Sequence, residues 1–262
     1  MRIDKVTERD YEILKHLSYG PSNIISIGKK FFMKQPPSKE FSKYVWRRLA
    51  QLQNAGLIQY RKVDRHDSPI VVLQKAGAYE VALKYGFEVE NMRYVFPKTI
   101  DLMHALMVAS AMRKMVEEAE THNLYKIEYI HTEYYTRKVF GRQIEKKGGK
   151  RSVFFPDFRI RIVPYKGEAI TFDVEIDAAS LGRSVVFEKI LSFRNNVLFV
   201  VPNGERLRRI FRYLQNDMTK RQATLPSVFF VLWSHFLANG CRFSEVIQFP
   251  SGDRGVMPIS MK

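Results

Sequence analysis

The fold of the second half of this chain is decided by the stretch Thr171-Phe172-Asp173-Val174-Glu175-Ile176-Asp177. Apolar and polar residues alternate along it, which predicts a β-strand with two unlike faces. We expect Asp173, Glu175 and Asp177 on one face and the apolar residues on the other. Three carboxylates on one face repel each other, so the pattern predicts a cationic partner, either a metal ion or basic side chains.

A further carboxylate stands at the end of an apolar run upstream, in Phe154-Phe155-Pro156-Asp157. Carboxylates from two places in the chain can hold a divalent metal ion that activates water against a phosphodiester. Asp157 and Glu175 are therefore candidate metal ligands, and Asp177 is a third. An alternative stays open, in which Asp157 only follows a proline at a strand entrance and the other two pair with arginines such as Arg159, Arg161 and Arg183.

The elements around this cluster follow the order αβββαβ. A helix is predicted from about Thr99 to Thr121. Strands are predicted at about Leu124 to His131, Val153 to Val163, Ala169 to Ile176 and Val197 to Val201, with a helix from about Gly182 to Phe193 before the last of them. A helix from Gly204 to Leu214, a final strand at Val228 to Trp233 and a loop-like tail from Pro250 complete the prediction, which is that of a mixed central sheet.

The N-terminal part predicts three helices and a hairpin. The helices run from Thr7 to about Tyr19, from about Ser22 to Phe32, and from a Ser38 cap to Asn54. Two extended runs, Leu57 to Val63 and Pro69 to Leu73, flank a turn-forming segment. This is the order of a winged helix-turn-helix, so the chain combines α/β and α+β architecture. We divide it at the aperiodic segment before Thr99, into domains 1–95 and 96–262.

Basic residues lie where such a module would contact DNA. On one face of the third helix they are Lys39, Lys43, Arg47 and Arg48. At the tip of the wing they are Arg61, Lys62 and Arg65, and a strongly basic segment before Phe154 adds Arg142, Lys146 and Lys147. A solvated basic helix, or a winged helix used for dimerisation or protein contacts, is the alternative.

Composition narrows the class of partner. Lys plus Arg number 43 against 27 Asp plus Glu, a net charge of +16, and a field of that sign attracts nucleic acid. The single Cys241 excludes an internal disulfide framework and any cysteine-based zinc site, which indicates a reducing compartment. No apolar run reaches the ~18 to 20 residues of a membrane span, so we expect a cytoplasmic protein without a membrane partner.

Pro156-Asp157 and Glu175-Ile176-Asp177, in this element order, resemble the motif halves of the PD-(D/E)xK nuclease superfamily. Asp177 stands where that motif has lysine. Lysines that have migrated to the following helix occur in the superfamily, and Lys189 is the candidate here. The resemblance implies a catalytic set of Asp157, Glu175 and Lys189 and, if the site is active, Mg²⁺ or Mn²⁺ as cofactor.

Together with these motifs, the run from Tyr44 to Ile58 and the stretch Leu102-Met103-His104-Ala105-Leu106 resemble the replication-relaxation family of plasmids and mobile elements. The resemblance implies a DNA-binding winged helix joined to a nuclease-like domain, with double-stranded DNA and replication or relaxation proteins of the same element as partners. Three functions stay open: a DNA-binding accessory factor without a cofactor, a metal-dependent endonuclease or nickase, and a transcriptional regulator whose second domain dimerises.

Overall fold

The computed structural model describes residues 6–32, 39–63, 68–98, 101–122, 125–141, 154–165, 167–178, 182–221, 225–243, 245–249 and 251–256. The chain divides into two compact units, Met1–Arg113 and Lys114–Lys262. A three-stranded sheet belongs to the first unit and a seven-stranded mixed sheet to the second, which confirms the mixed α/β class. Among the described residues, no helix is both long enough and apolar enough to cross a bilayer.

Three helices open the first unit, as the sequence predicts. Thr7 starts the first of them with a capping box, in which the Asp10 carboxylate accepts a hydrogen bond of 2.7 Å from the Thr7 backbone N–H. The helices are α1 (Glu8–Ser18), α2 (Ile24–Phe32) and α3 (Lys39–Asn54). The predicted Ser38 cap lies outside the described residues.

A small antiparallel sheet follows these helices. Its strands are β1 (Ser22–Asn23), β2 (Ile58–Arg61) and β3 (Ile70–Leu73), in the order β1-β3-β2. The helix α4 (Lys75–Tyr85) follows the sheet in the chain and packs against α1, and a short 3₁₀ turn (Val89–Asn91) comes next. A side chain at Gly77 would place its Cβ 2.2 Å from the Leu57 carbonyl oxygen, so this close approach requires glycine.

A buried ion pair joins α1 to α3. Arg48 Nε donates to Asp10 Oδ1 at 2.8 Å, a second guanidinium nitrogen contacts Oδ2, and the Asp10 side chain is fully buried. Burial raises the pKa of Asp10, but hydrogen bonds from Arg48 and Thr7 outweigh burial and hold that pKa below its ordinary value. The pair is therefore part of the interior of the first unit, beside the apolar core.

The boundary between the units falls inside a helix, α5 (Leu102–His122). Near the boundary, Arg113 donates to the backbone carbonyls of His16 at 2.9 Å and Pro21 at 2.9 Å, and to that of Gly20. These hydrogen bonds connect the middle of α5 to the end of α1 and to the loop that follows it. The segment predicted as a linker also packs on the first unit, through Phe87 and Met92 among others, so the structural division comes later in the chain than residue 95.

The second unit is built on a sheet whose strand order follows the chain. Its strands are β4 (Tyr125–Thr132), β5 (Phe158–Pro164), β6 (Ile170–Ile176), β7 (Asn196–Val201), β8 (Val228–Leu232), β9 (Glu245–Phe249) and β10 (Arg254–Val256). Two pairs, β6 with β7 and β7 with β8, are parallel, and the remaining pairs are antiparallel. The predicted order αβββαβ occurs from α5 to β7, with two short helical segments, Glu133–Thr136 and Arg137–Gly141, inserted between β4 and β5.

Helices connect the parallel strands, as their geometry requires. They are α7 (Arg183–Ser192) between β6 and β7 and α8 (Gly204–Arg221) between β7 and β8; a four-residue helix α6 (Glu133–Thr136) follows β4, and α9 (Trp233–Phe243) follows β8. Both α7 and α8 pack on the sheet face that carries Val197, Phe199 and Val201. That face therefore has a helical layer over β6, β7 and β8.

The predicted end of the sheet is wrong. Val228–Leu232 is not the last strand, because α9, β9 and β10 follow it, and Arg254–Val256 is a strand within the tail predicted as a loop. Pairing with β8 orders β9, and pairing with β9 orders β10. Backbone hydrogen bonding to a preceding strand stabilises these short segments, whose own periodicity is weak.

The buried His16 predicts a loss of stability in mild acid. Its ring lies 3.1 Å from Ser22 Oγ, and burial, together with the charges of Arg113 and Lys30, lowers its pKa to about 2. In the unfolded chain the His16 ring binds a proton below about pH 6.5, whereas in the folded protein the ring stays neutral. The unfolding free energy therefore decreases by about 1.4 kcal/mol for each pH unit by which the pH is lowered below about 6.5. Urea unfolding of wild type and His16→Gln at several pH values between about 6.5 and 4 should show this slope in the difference between their unfolding free energies. Parallel profiles would contradict it.

Replacing Arg48 should destabilise the first unit. Arg48→Met leaves the Asp10 carboxylate buried without its guanidinium, which costs on the order of 3 kcal/mol of unfolding free energy at neutral pH. Arg47→Met, at the exposed neighbouring position, is the matched control and should stay within about 0.5 kcal/mol of wild type. The pair stabilises above the unfolded carboxyl pKa of about 3.9, so the gap should close in acid. Equal stability of both variants at pH 7 would contradict the role of the pair.

Candidate functional site

The carboxylates of β6 lie on one buried face, as the alternation predicts. Asp173, Glu175 and Asp177 are at most 2% exposed, and Val174 and Ile176, which point the other way, are buried in the opposite layer. The face with the carboxylates is the one on which α7 and α8 pack. The strand thus brings three negative charges into a helix-covered interior, where each needs compensation.

Each of these carboxylates meets a cation from a different element. Arg159 of β5 donates from Nε to Asp173 Oδ1 at 2.6 Å. Lys189 of α7 contacts Glu175 Oε1 through its ammonium group. Arg206 of α8 donates to both oxygens of Asp177, at 2.6 and 3.1 Å.

Asp177 is thereby distinguished from the other candidate ligands. Arg206 engages its two oxygens in a bidentate pair that is almost wholly buried, so this carboxylate connects β6 to α8. In the part of the chain that the structure describes, no three His, Cys, Asp or Glu residues are grouped to hold a metal ion. The predicted metal ligands Asp157, Glu175 and Asp177 stay a prediction.

Asp157 lies next to Glu175 on the adjacent strand. It immediately precedes β5, whose register pairs Phe158 with Val174, and continuing that register by one residue sets it opposite Glu175. Its Oδ2 accepts a hydrogen bond of 2.7 Å from the buried Ile176 N–H, which fixes the carboxylate at the strand end. Asp157 itself lies outside β5, at the end of the β5–β6 pair.

Lys189 completes a compact trio at this edge. The residue lies one turn before the end of α7, and its side chain is 13% exposed. Because the contact with Glu175 joins residues 14 positions apart, it depends on the packing of α7 against β6. The structure thus brings Asp157, Glu175 and Lys189 to one end of the β5–β6 pair, while Asp177 is held by another helix.

The basic residues predicted on α3 fall into two groups. Lys43 and Arg47 are exposed on one side of the helix, and Tyr44 between them is 65% exposed. Arg48 faces inward to Asp10 and Gln51 instead. For Lys39 only the backbone, at the first residue of α3, is described.

The predicted wing is described only at its base. Arg61 is exposed at the end of β2, with its guanidinium 3.6 Å from the centre of the Phe96 ring, and Lys62 beside it is exposed. Arg65 and the basic residues Arg142, Lys146 and Lys147 lie outside the described residues.

Sequence reasoning missed Arg206 and Asn195 as partners of the carboxylate row. Asn195 donates to Asp173 Oδ2 at 3.0 Å, and Arg206 reaches Asp177 from 29 positions along the chain. No local spacing signals either contact. The alternative stated above, in which these carboxylates pair with arginines, agrees with the structure for Asp177. Its partner is Arg206, which was not among the arginines named there.

No protein-family model, curated protein or solved structure matches this chain. The resemblance to replication-relaxation proteins and to PD-(D/E)xK nucleases stays a prediction. Two regions of the described structure contain the predicted site residues: the exposed side of α3 and the end of the β5–β6 pair.

Proposed function

We propose that the protein is a DNA-binding factor whose first unit contacts double-stranded DNA through α3. The observation that carries this proposal is the exposed side of α3, where Lys43 and Arg47 flank Tyr44 on a helix that follows α1 and α2 and precedes the β2–β3 hairpin. Three helices followed by a hairpin is the order of a winged helix, which supports the proposal. A net charge of +16 favours a polyanionic partner.

The contact helix would use only part of its basic residues. Lys43 and Arg47 are one helical turn apart and both face solvent, so they can reach successive phosphates or base edges of a groove. Arg48 contributes to the stability of the module and not to the contact, because its guanidinium is bound to Asp10. Arg61 and Lys62 at the base of the hairpin would add phosphate contacts beside the helix.

The setting of this DNA binding is proposed from the resemblance. A replication-relaxation protein would act on its own plasmid or mobile element, together with replication or relaxation proteins of that element. In this role the second unit positions DNA or a partner, whether or not it cleaves.

The contact between Glu175 and Lys189 favours a second function, metal-dependent cleavage of DNA. Two carboxylates at neighbouring strand ends suit Mg²⁺ or Mn²⁺, since Mg²⁺ is commonly held by one or two carboxylates with water and substrate phosphate as the other ligands. A metal ion bound there supplies activated water and charge neutralisation at a phosphodiester. Asp157 and Glu175 would hold it.

Lys189 and the groups around the two carboxylates would neutralise charge and orient the carboxylates. Lys189 balances the charge of Glu175 in the described state and would do the same for the attacked phosphate, which carries a similar negative charge. The Ile176 N–H, bonded to Asp157 Oδ2, would keep that carboxylate oriented toward the site. The pair of Asp177 with Arg206 anchors α8 beside it.

Charge reversal on α3 tests the DNA contact. Lys43→Glu with Arg47→Glu should weaken duplex binding and lower the salt-dependence slope by about two units, because each lost phosphate contact removes about one. Lys75→Glu with Lys98→Glu changes the charge equally at exposed positions of the same unit and is the control. Fluorescence anisotropy with labelled duplex at several salt concentrations measures both. An unchanged slope in the α3 variant would exclude α3 as the contact.

Cleavage is tested on supercoiled plasmid in Mg²⁺, in Mn²⁺ and in chelator, where nicking and mobility shift are visible on one gel. Glu175→Gln and Asp157→Asn should each lower nicking by at least about 100-fold, because each removes a ligand charge while nearly keeping the side-chain shape. Both variants should still shift the DNA.

The control for cleavage is Glu168→Gln, which removes an exposed carboxylate of the same unit. It should nick as the wild type does. A shift by wild-type protein without nicking in either metal would leave DNA binding as the function and exclude the nuclease.

A further inference from the structure

Three aromatic rings form a stack at the edge of the seven-stranded sheet. The ring centres of Tyr129 and His131 are 4.2 Å apart with an interplanar angle of 12°, and those of His131 and Tyr135 are 4.4 Å apart at 29°. All three residues are half-buried. We name this stack the ring ladder. His131 is its middle member, so the outer faces of Tyr129 and Tyr135 form its two ends.

The backbone holds the ring ladder in place from both sides. Tyr129 and His131 are two residues apart on β4 and therefore share a face. The chain then turns into α6, where Thr132 Oγ1 accepts from Tyr135 N–H at 3.3 Å and the Thr136 hydroxyl donates to the Thr132 carbonyl at 3.1 Å. This cap brings Tyr135 back over His131, so little side-chain entropy remains to be lost on binding.

Arginines of β5 lie beside the ring ladder. The register pairs Arg161 with Tyr129 and Arg159 with His131, and paired residues of antiparallel strands share a face. Arg161 is 38% exposed and is oriented by Glu128 at 2.8 Å, and Arg159 is oriented by Asp173. Further cations, Lys126 of β4 and Arg137 and Lys138 after α6, are exposed nearby in the chain.

The same sheet face carries Asp173 and Glu175 of β6. Arg159 is paired with Asp173 across β5 and β6, and Glu175 follows two residues later on that face. The ring ladder on β4 is thus two strand spacings from Glu175, or about 10 Å across the sheet. The helices α7 and α8 pack over β6 to β8. At β4 and β5, next to the ring ladder, the short helix α6 contacts both strands.

We propose that the ring ladder binds an unpaired nucleic-acid strand, with bases stacked on its ends and phosphates near the arginines of β5. Aromatic rings beside a basic sheet surface are how proteins bind single strands without reading sequence, and only an unpaired base has a π-face available for a ring. A duplex offers such a face only at its ends. This contact goes beyond the proposed duplex binding: it lies in the second unit and needs neither α3 nor a metal ion.

The test uses the full chain in chelator, so that binding is measured without cleavage. A fluorescent oligothymidylate of about 15 nucleotides, within the site sizes usual for such surfaces, is titrated and its anisotropy followed. Tyr129→Leu with Tyr135→Leu keeps apolar bulk but removes both stacking faces, and it should weaken oligothymidylate binding by about 5-fold to 150-fold, with duplex binding unchanged. Tyr134→Leu removes an exposed tyrosine outside the ladder and is the control.

The variant of α3 separates this inference from the proposed function. Lys43→Glu with Arg47→Glu should weaken duplex binding, as predicted above, and keep oligothymidylate binding. If wild-type protein does not bind the oligonucleotide, or if the double tyrosine variant binds it as tightly as wild type does, the ring ladder is not the contact.

Photocrosslinking keeps the inference testable if the double variant fails to fold. Wild-type protein is irradiated with an oligothymidylate that carries 5-iodouracil, which crosslinks to aromatic rings it stacks on, and the modified peptides are identified by mass spectrometry. Crosslinks at Tyr129, His131 or Tyr135 support the contact. Crosslinks confined to the first unit overturn it.

Discussion

The second unit depends on charge compensation along one strand. β6 places Asp173, Glu175 and Asp177 in an interior where an uncompensated carboxylate would cost several kcal/mol. The compensating cations come from the neighbouring strand and from both crossover helices. The same contacts that neutralise the strand therefore set the positions of β5, α7 and α8 around it. Apolar packing alone leaves such positions less specific, because it tolerates sliding.

The three carboxylate–cation pairs differ in the kind of cation and in the number of carboxylate oxygens that are bonded. The bidentate pair of Asp177 with Arg206 occupies both oxygens with a permanent, nearly buried cation, an arrangement suited to holding α8. Glu175 instead meets an ammonium group, which is a point charge on a flexible stem and can follow a phosphate or a metal ion more easily than a guanidinium fork. Asp157 adds a second carboxylate, oriented by a backbone N–H. One row thus combines a bidentate, nearly buried pair with a pair to a single ammonium group.

Compensation of a buried carboxylate also organises the first unit, where Asp10 meets Arg48. Because of this ion pair, two neighbouring residues of α3 have different environments. Arg48 turns inward and connects α3 to α1, and Arg47 stays at the surface. Because the inward arginine fixes the rotation of α3 about its axis, it also determines that Lys43, Tyr44 and Arg47 are exposed to solvent.

The sequence by itself determined the local elements: the start of the first helix at Thr7, the helices α1 to α3 and α5, the alternation of β6 and the order of the strands from β4 to β7. These follow from short-range periodicity and from turn and cap residues. Only the tertiary structure decided which cation meets which carboxylate, that Arg48 points inward, that the segment after α4 packs on the first unit, and that β9 and β10 extend the sheet. Each of those outcomes joins residues far apart in the chain. Short-range patterns fix which way a side chain faces on its own element, but the partner across the interior is set by how separate elements pack, and no local spacing encodes that.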